Sequence, residues 1–207
     1  DVNVTDSILS NEGNNWTAYF DVSSAHINGI VGYSVNFEDL ANNTGSAAAS
    51  SGVTIDKDAP VVSNVGIVSS NTRNHMAKEG ETITLSFTID EVLLAGKNPD
   101  VTFDISNTSV HPSRITINNT NNNNWEATFS TSSNDPDGLI SYKIQNYKDL
   151  AGNTGVLVEG SGVTVDLTNP TIVGDISLVS TNNYYNTLAK SEDTIRLTFA
   201  TSETIDL

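Results

Sequence analysis

Cysteine is absent from this 207-residue chain. That excludes disulfides, thiolate nucleophiles and cysteine-based metal sites, and it leaves the compartment open. Basic residues are scarce: nine Lys and Arg stand against 25 Asp and Glu, a net charge of −16. A surface this acidic repels phosphate backbones, so nucleic acid is not an expected partner. No apolar run approaches a membrane span, so direct membrane insertion is not expected, and no signal peptide is visible. Leu is outnumbered by Val, Ile and Thr, and no long stretch carries helical periodicity, which argues against an α-rich fold. Hydrophobic residues make up only 37% of the chain. That supply suits thin β-modules, whose strands bury one face and solvate the other, better than a large enzyme core.

What the chain does have is a repeat. The segment from Trp16 to Asp56 returns from Trp125 to Asp166, and the segment from Pro60 to Glu91 returns from Pro170 to Glu203. Phe20 answers Phe129 and Tyr33 answers Tyr142. Asp39-Leu40-Ala41-Asn42-Asn43-Thr44-Gly45 answers Asp149-Leu150-Ala151-Gly152-Asn153-Thr154-Gly155. The offset drifts from about 109 to about 112 residues, the size of one small domain with loop insertions. Residues 57–166 therefore form one complete unit. Residues 1–56 match the C-terminal half of a unit, and residues 167–207 match the N-terminal half of another. A window onto a longer chain is the expected explanation. The other is that the tail of one subunit is completed by the head of the next, as in strand-complementation fibres.

Within the complete unit, apolar residues alternate with polar ones at period two. Ile83, Leu85, Phe87 and Ile89 form the clearest run. Val65 with Ile67, Val101 to Ile105, Ile115 with Ile117, Trp125 to Phe129, Ile140 to Ile144, and Val163 with Val165 form six more. Turn formers separate them, among them Glu79-Gly80, Lys97 to Asp100 and Asn134 to Gly138. About seven short strands in about 110 residues predict an all-β, immunoglobulin-like β-sandwich. The joints between units are brief: Asp56-Lys57-Asp58-Ala59-Pro60 and Asp166-Leu167-Thr168-Asn169-Pro170. A joint of about three residues ending in Pro has little freedom, which predicts a stiff rod.

The tract from Tyr142 through Asp149-Leu150-Ala151-Gly152-Asn153-Thr154, with these Pro-ending joints, resembles the tandem immunoglobulin-like repeats of large bacterial adhesins and surface stalks. The resemblance covers the whole chain. It implies an extracellular, cell-surface setting, with neighbouring repeats as the first partners and a spacer role in an adhesin, sheath or filament. It also implies Ca2+ at the joints, an ion that takes six to eight oxygen ligands. The candidates at the first joint are Asp56 and Asp58, with Asp39 and Asn43. At the second they are Asp166 and Asn169, with Asp149 and Asn153. Asp90 with Glu91, and Glu203, are placed at the ends of matching strands to contribute from the following unit. The second joint has Thr168 and Asn169 where the first has Asp58 and Ala59, so it lacks one carboxylate. Two plainer readings stand beside this one: the acidic excess serves solubility, and Asp149 and Asn153 close a turn.

Other features carry less. His26, His75 and His111 have no counterparts in the neighbouring copy and no metal-ligand spacing. Glu79 and Glu81 fall on a turn without a nucleophile, and catalysis is not expected of a duplicated spacer. Trp16, Phe20, Trp125 and Phe129 could stack on sugars, but their period-two placement fits strand packing. Five Asn-x-Ser/Thr sequons, at Asn3, Asn15, Asn42, Asn107 and Asn118, do not exceed the roughly six expected by chance from about 26 Asn. A module displaying a carbohydrate- or protein-binding site on its loops, with Tyr147 as a candidate aromatic, is the alternative function. An accessory region of a secreted enzyme is a third.

Overall fold

A computed structural model describes residues 8–121 and 123–205. Its strands, in chain order, are β1 (Ile8–Glu12), β2 (Asn15–Tyr19), β3 (Gly29–Glu38), β4 (Thr44–Ile55), β5 (Val62–Ser69), β6 (Met76–Ala77), β7 (Thr82–Ile89) and β8 (Asp100–Ile105). They continue with β9 (Thr108–Ser109), β10 (Thr116–Asn121), β11 (Asn124–Ser130), β12 (Gly138–Gln145), β13 (Val158–Val165), β14 (Ile172–Ser180) and β15 (Ile195–Thr201). Among the described residues there is no α-helix, only a 3-10 turn at Pro112–Arg114. The fold is all-β, as the period-two runs require.

The central strands build two sheets. One has the order β10-β11-β7-β5 and the other β6-β13-β12-β8-β9. All pairings are antiparallel except β6 with β13, where Met76 and Ala77 run parallel to Thr164 and Val165. The two sheets face each other across one apolar cluster. Ile83, Leu85, Phe87, Ile89, Trp125 and Phe129 enter from the first sheet; Val101, Phe103, Ile105, Ile140, Ile144, Val163 and Val165 enter from the second. Phe103 and Phe129 meet across the gap with ring centroids 4.9 Å apart. Every residue of the strongest period-two run is thus buried, while its Thr and Ser partners stay on the outer face.

The seven anticipated strands are present, with small differences. Ile115 closes the 3-10 turn instead of opening β10. The two-residue strands β6 and β9 are too short for any alternation to mark them. Three core residues lie outside the alternating runs: Ala77 in the short β6, and Val110 and Tyr147 just past the ends of β9 and β12.

Outside residues 62–165 the described ladders are hairpins only: β1-β2, β3-β4 and β14-β15. Identical sequence positions therefore meet different environments. Trp125 is 4% exposed and Trp16 63%; Leu85 is 0% exposed and its counterpart Leu197 55%.

Candidate functional site

The two joints are where the repeat places most polar chemistry. Each is pinned from both sides by the same bonds. Asp56 Oδ1 accepts from the Asp58 amide at 3.2 Å, and Asp166 Oδ1 from the Thr168 amide at 3.2 Å. On the preceding side, Asn28 Oδ1 accepts from the Lys57 amide at 3.0 Å. Asp137, the counterpart of Asn28, accepts from the Leu167 amide at 2.6 Å and from Thr168 Oγ1 at 2.7 Å. These bonds hold the Asp137 carboxyl below the usual range, the Thr168 hydroxyl contributing most. Lys57 Nζ adds bonds to the Ser24 and His26 carbonyls. On the following side, Asp90 Oδ1 accepts from the Val61 amide at 2.7 Å, and Ser202 Oγ accepts from the Thr171 amide at 2.9 Å. Asn28, Asp137 and Ser202 are not marked as joint residues by the sequence; Asp90 is, beside Glu91, as a candidate cation ligand, and it acts here as a clamp on the Val61 amide. For Asn28 and Asp137 the one available signal was position: Asn28-Gly29 and Asp137-Gly138 recur just before matching strands.

The Asp-Leu-Ala loops are built alike in both copies. Asp149 Oδ1 accepts from the amides of Gly152 and Asn153 at 2.6 and 2.8 Å, and its Oδ2 accepts from Asn153 Nδ2 at 2.7 Å. Asp39 likewise accepts three bonds, from the Ala41 and Asn43 amides and from the Asn43 side chain, each at 2.8 Å. Turn closure is therefore a role both aspartates fill. Asp39 is exposed and its pKa lies below the ordinary value, chiefly through the Asn43 side chain. Asp149 is buried. Desolvation pushes its pKa up, but the combined bonds from Asn153, Gly152 and Ala151 outweigh it, so the net direction is down.

A different set of candidates comes together at the first joint than sequence spacing paired there. Asp56, Glu91 and Asp149 offer carboxylate oxygens that all lie within 4.8 Å of one another, the one such acidic trio among the described residues. Asn153 Nδ2 donates to the Asp56 carbonyl at 3.2 Å, tying the same loop to the joint. Two local features bring this about. Leu93 and Asp149 form a β-bridge, and Leu94 donates to the Lys148 carbonyl, which sets Glu91 beside the loop. Asp149 and Asn153, paired with Asp166 and Asn169 by their nearness in sequence, thus sit with Asp56 at the joint that precedes their own unit. Glu91 feels the assembled charge. Burial raises its pKa most, followed by Asp56, Asp149, Asp90 and Asp58.

At the second joint, Asp166, Asn169 and Glu203 line one cleft together with Lys78 and Glu79. No described Asp-Leu-Ala loop follows residue 203, and Lys78 brings a positive charge. This cleft is not the counterpart of the acidic trio.

Other candidates take structural places. Tyr147 is fully buried and donates its hydroxyl to the Val156 carbonyl at 2.8 Å, so it is not a loop aromatic open to a ligand. Its ring covers Gly155, where a Cβ would lie 1.9 Å from Cε2. Phe37 covers Gly45 in the same way. Glu81 braces the loop after β5 by accepting from Ser69 Oγ and Asn71 Nδ2, both at 3.0 Å. His26 and His111 accept local amides of Ser23 and Ser113. Among the described residues no helix is long and apolar enough to cross a membrane. Asn3 lies outside the described residues. Compared with known protein families and with curated proteins, the chain matches none at a significant level.

Proposed function

We propose that this chain is a segment of an extracellular tandem repeat of immunoglobulin-like sandwiches, serving as a stiff spacer. The strand orders favour that topology. The order β5-β7-β11-β10 corresponds to the A-B-E-D sheet of an immunoglobulin-like domain, and β6-β13-β12-β8-β9 to a second sheet in which the opening strand crosses over to run parallel to the last. Residues 57–166 make the complete unit, and the flanking hairpins make partial ones.

The single observation that carries the spacer reading is the repeated clamp. At each joint one side chain from the preceding unit and one from the following unit hold backbone amides within about five residues. A joint whose amides are taken up on both sides has few soft dihedrals left. Small-angle scattering of the native chain and of an Asn28→Gly, Asp137→Ala double variant tests it. The double variant is expected to sample a broader spread of end-to-end distances. Identical scattering profiles would refute the clamp as the source of stiffness.

Calcium belongs to this proposal at the first joint only. Asp56, Glu91 and Asp149 supply hard oxygen donors from both sides of that joint, and the repulsion recorded by Glu91 is what a divalent cation relieves. A saturating cation stabilises the native state by RT ln(1 + [L]/Kd), about 2.7 kcal/mol at a hundredfold excess over Kd. Titrating Ca2+ into chelated protein is expected to raise the melting temperature and narrow the scattering distribution. A chelator that leaves both unchanged removes the cation from the proposal.

A further inference from the structure

We infer that His26 is a proton-operated latch on the first joint: neutral, its imidazole closes the turn that holds Lys57, and protonated, it lets that turn open. The turn occurs twice in the chain, with the same bond made by different chemistry. Between β2 and β3, His26 Nδ1 accepts from the Ser23 amide at 2.8 Å, and the His26 amide donates to the Ser23 carbonyl at 3.2 Å. Between β11 and β12, Asp135 Oδ2 accepts from the Ser132 amide at 2.8 Å, and the Asp135 amide donates to the Ser132 carbonyl at 3.0 Å. Ser23 and His26 match Ser132 and Asp135 at one repeat offset. Histidine thus stands in one copy where aspartate stands in the other.

The two acceptors answer acid differently. A carboxylate keeps its lone pairs until strong acid, and Asp135 is held further in that form. Arg114 donates to both of its oxygens at 2.6 Å, which sets the Asp135 carboxyl below the usual range. An imidazole accepts at Nδ1 only while that nitrogen is bare, and histidine is the side chain whose ordinary charge change falls in mild acid. A proton on His26 Nδ1 points at the Ser23 N–H, so two donors face each other and the ring leaves.

This turn is where the joint is fastened. Lys57 Nζ donates to the Ser24 and His26 carbonyls inside it, and the Lys57 amide donates to Asn28 Oδ1 just after it. The charged groups nearest His26 along the chain and on the joint are Asp21, in the segment leading into the turn, and Lys57, with Asp56 and Asp58 on either side of it. A proton on His26 therefore does two things at once. It removes the bond that closes the turn, and it adds a positive charge to the residue whose carbonyl holds an ammonium. Both release Lys57. The latched arrangement carries one proton fewer, so it is favoured above the histidine range and lost as pH falls through it. At the second joint Leu167 takes the place of Lys57, with no charge to expel, and Asp135 keeps its bond. Mild acid acts on one joint and spares the other.

The latch rests on the proposed clamp only for its mechanical consequence, so the test reads the turn itself. Amide exchange of the isotope-labelled full chain is followed by NMR in chelator, from about pH 7.5 to about pH 5.5, and corrected for its intrinsic pH dependence. Protection of the Ser23 and Lys57 amides is expected to fall by about tenfold, the scale of one net hydrogen bond, while that of Ser132 and Leu167 holds. The midpoint should coincide with that of the His26 ring signals. His26→Asp, which installs the acceptor of the other copy, is expected to abolish the fall. His75 and His111 remain in that variant, so the lost response belongs to His26. His26→Ala is expected to leave both amides poorly protected at every pH. Protection at Ser23 and Lys57 that follows Ser132 and Leu167, or a fall that persists in His26→Asp, overturns the inference. Small-angle scattering over the same range separates the two ideas: amides that lose protection without a broader profile support the latch and count against the clamp as the source of stiffness.

Discussion

Asp149→Ala separates the buried loop from its exposed twin. The carboxylate of Asp149 accepts three bonds between 2.6 and 2.8 Å while almost fully buried. Bonds to a charged group contribute about 1.5–3 kcal/mol each when one partner is removed. The simple sum overshoots, because two backbone bonds still close the turn: Asp149 N to the Asn153 carbonyl and Gly152 N to the Asp149 carbonyl. Removing the charge also relieves Glu91, by about 0.5–1 kcal/mol on the scale of exposed pairs. A net loss of about 3 kcal/mol is expected, which lowers the melting temperature of a domain this size by roughly 12 °C or more. Trp fluorescence in a Trp16→Phe background follows the complete unit through Trp125. Asp39→Ala also removes three bonds, but from an exposed loop, and is expected to change that transition very little. The pH dependence gives a second readout. The pKa of Asp149 is depressed in the native state, so its contribution is present above the ordinary aspartate value of 3.8 and fades as pH falls through the lower native value. The gap between native and variant should therefore close in strong acid. Equal small effects of the two substitutions, or a gap that persists in acid, would refute the assignment of this carboxylate as the keystone of the loop.

Glu91→Gln is expected to act with the opposite sign. The native pKa of Glu91 is raised above its ordinary 4.5, so its charge opposes folding once pH exceeds the native value, and that penalty vanishes below the ordinary value. In chelated protein at neutral pH the variant should be more stable by about 0.5–1 kcal/mol, the scale of an exposed charge pair. Denaturant melts at pH 7 and pH 4 check this, and a variant less stable than native at pH 7 without cation contradicts it. Gly155→Ala is expected to cost about 2–3 kcal/mol, because the Cβ would strike the immobile ring of Tyr147. Gly45→Ala, under the exposed Phe37, should cost far less, since that ring can swing aside.

The core of this protein was legible from period two because each alternating run has one dry face. Ile83 to Ile89 needed nothing more than that. The strand edges were less so: Met76 and Ala77 hold their place through a parallel ladder to Thr164 and Val165, a contact 88 residues away that no local pattern carries. The candidate site was half legible. The repeated Asp-Leu-Ala loops and the Asp-rich joints identified the residue types. Their grouping was not recoverable by proximity in sequence, because Asp149 is 17 residues from Asp166 and 93 from Asp56, yet the sheet brings it to the second of these. Tyr147 was hidden for a related reason. It stands after a strand, where a loop is expected, but Gly155 opens the space its ring fills.

The placement of Asp149 has a consequence for how such units combine. Each complete unit carries, on one pole, the loop carboxylate and the Glu91-type carboxylate that meet the joint entering it. It carries on the other pole the Asp137-type clamp that meets the joint leaving it. The acidic trio is thus completed by whatever unit follows an Asp56-type residue, with no requirement on the unit before. Asp166 and Glu203 stand at the sequence positions of Asp56 and Glu91, but among the described residues no Asp-Leu-Ala loop joins them, and Lys78 lines their cleft instead. A cation bound at the first joint is therefore not expected at the second.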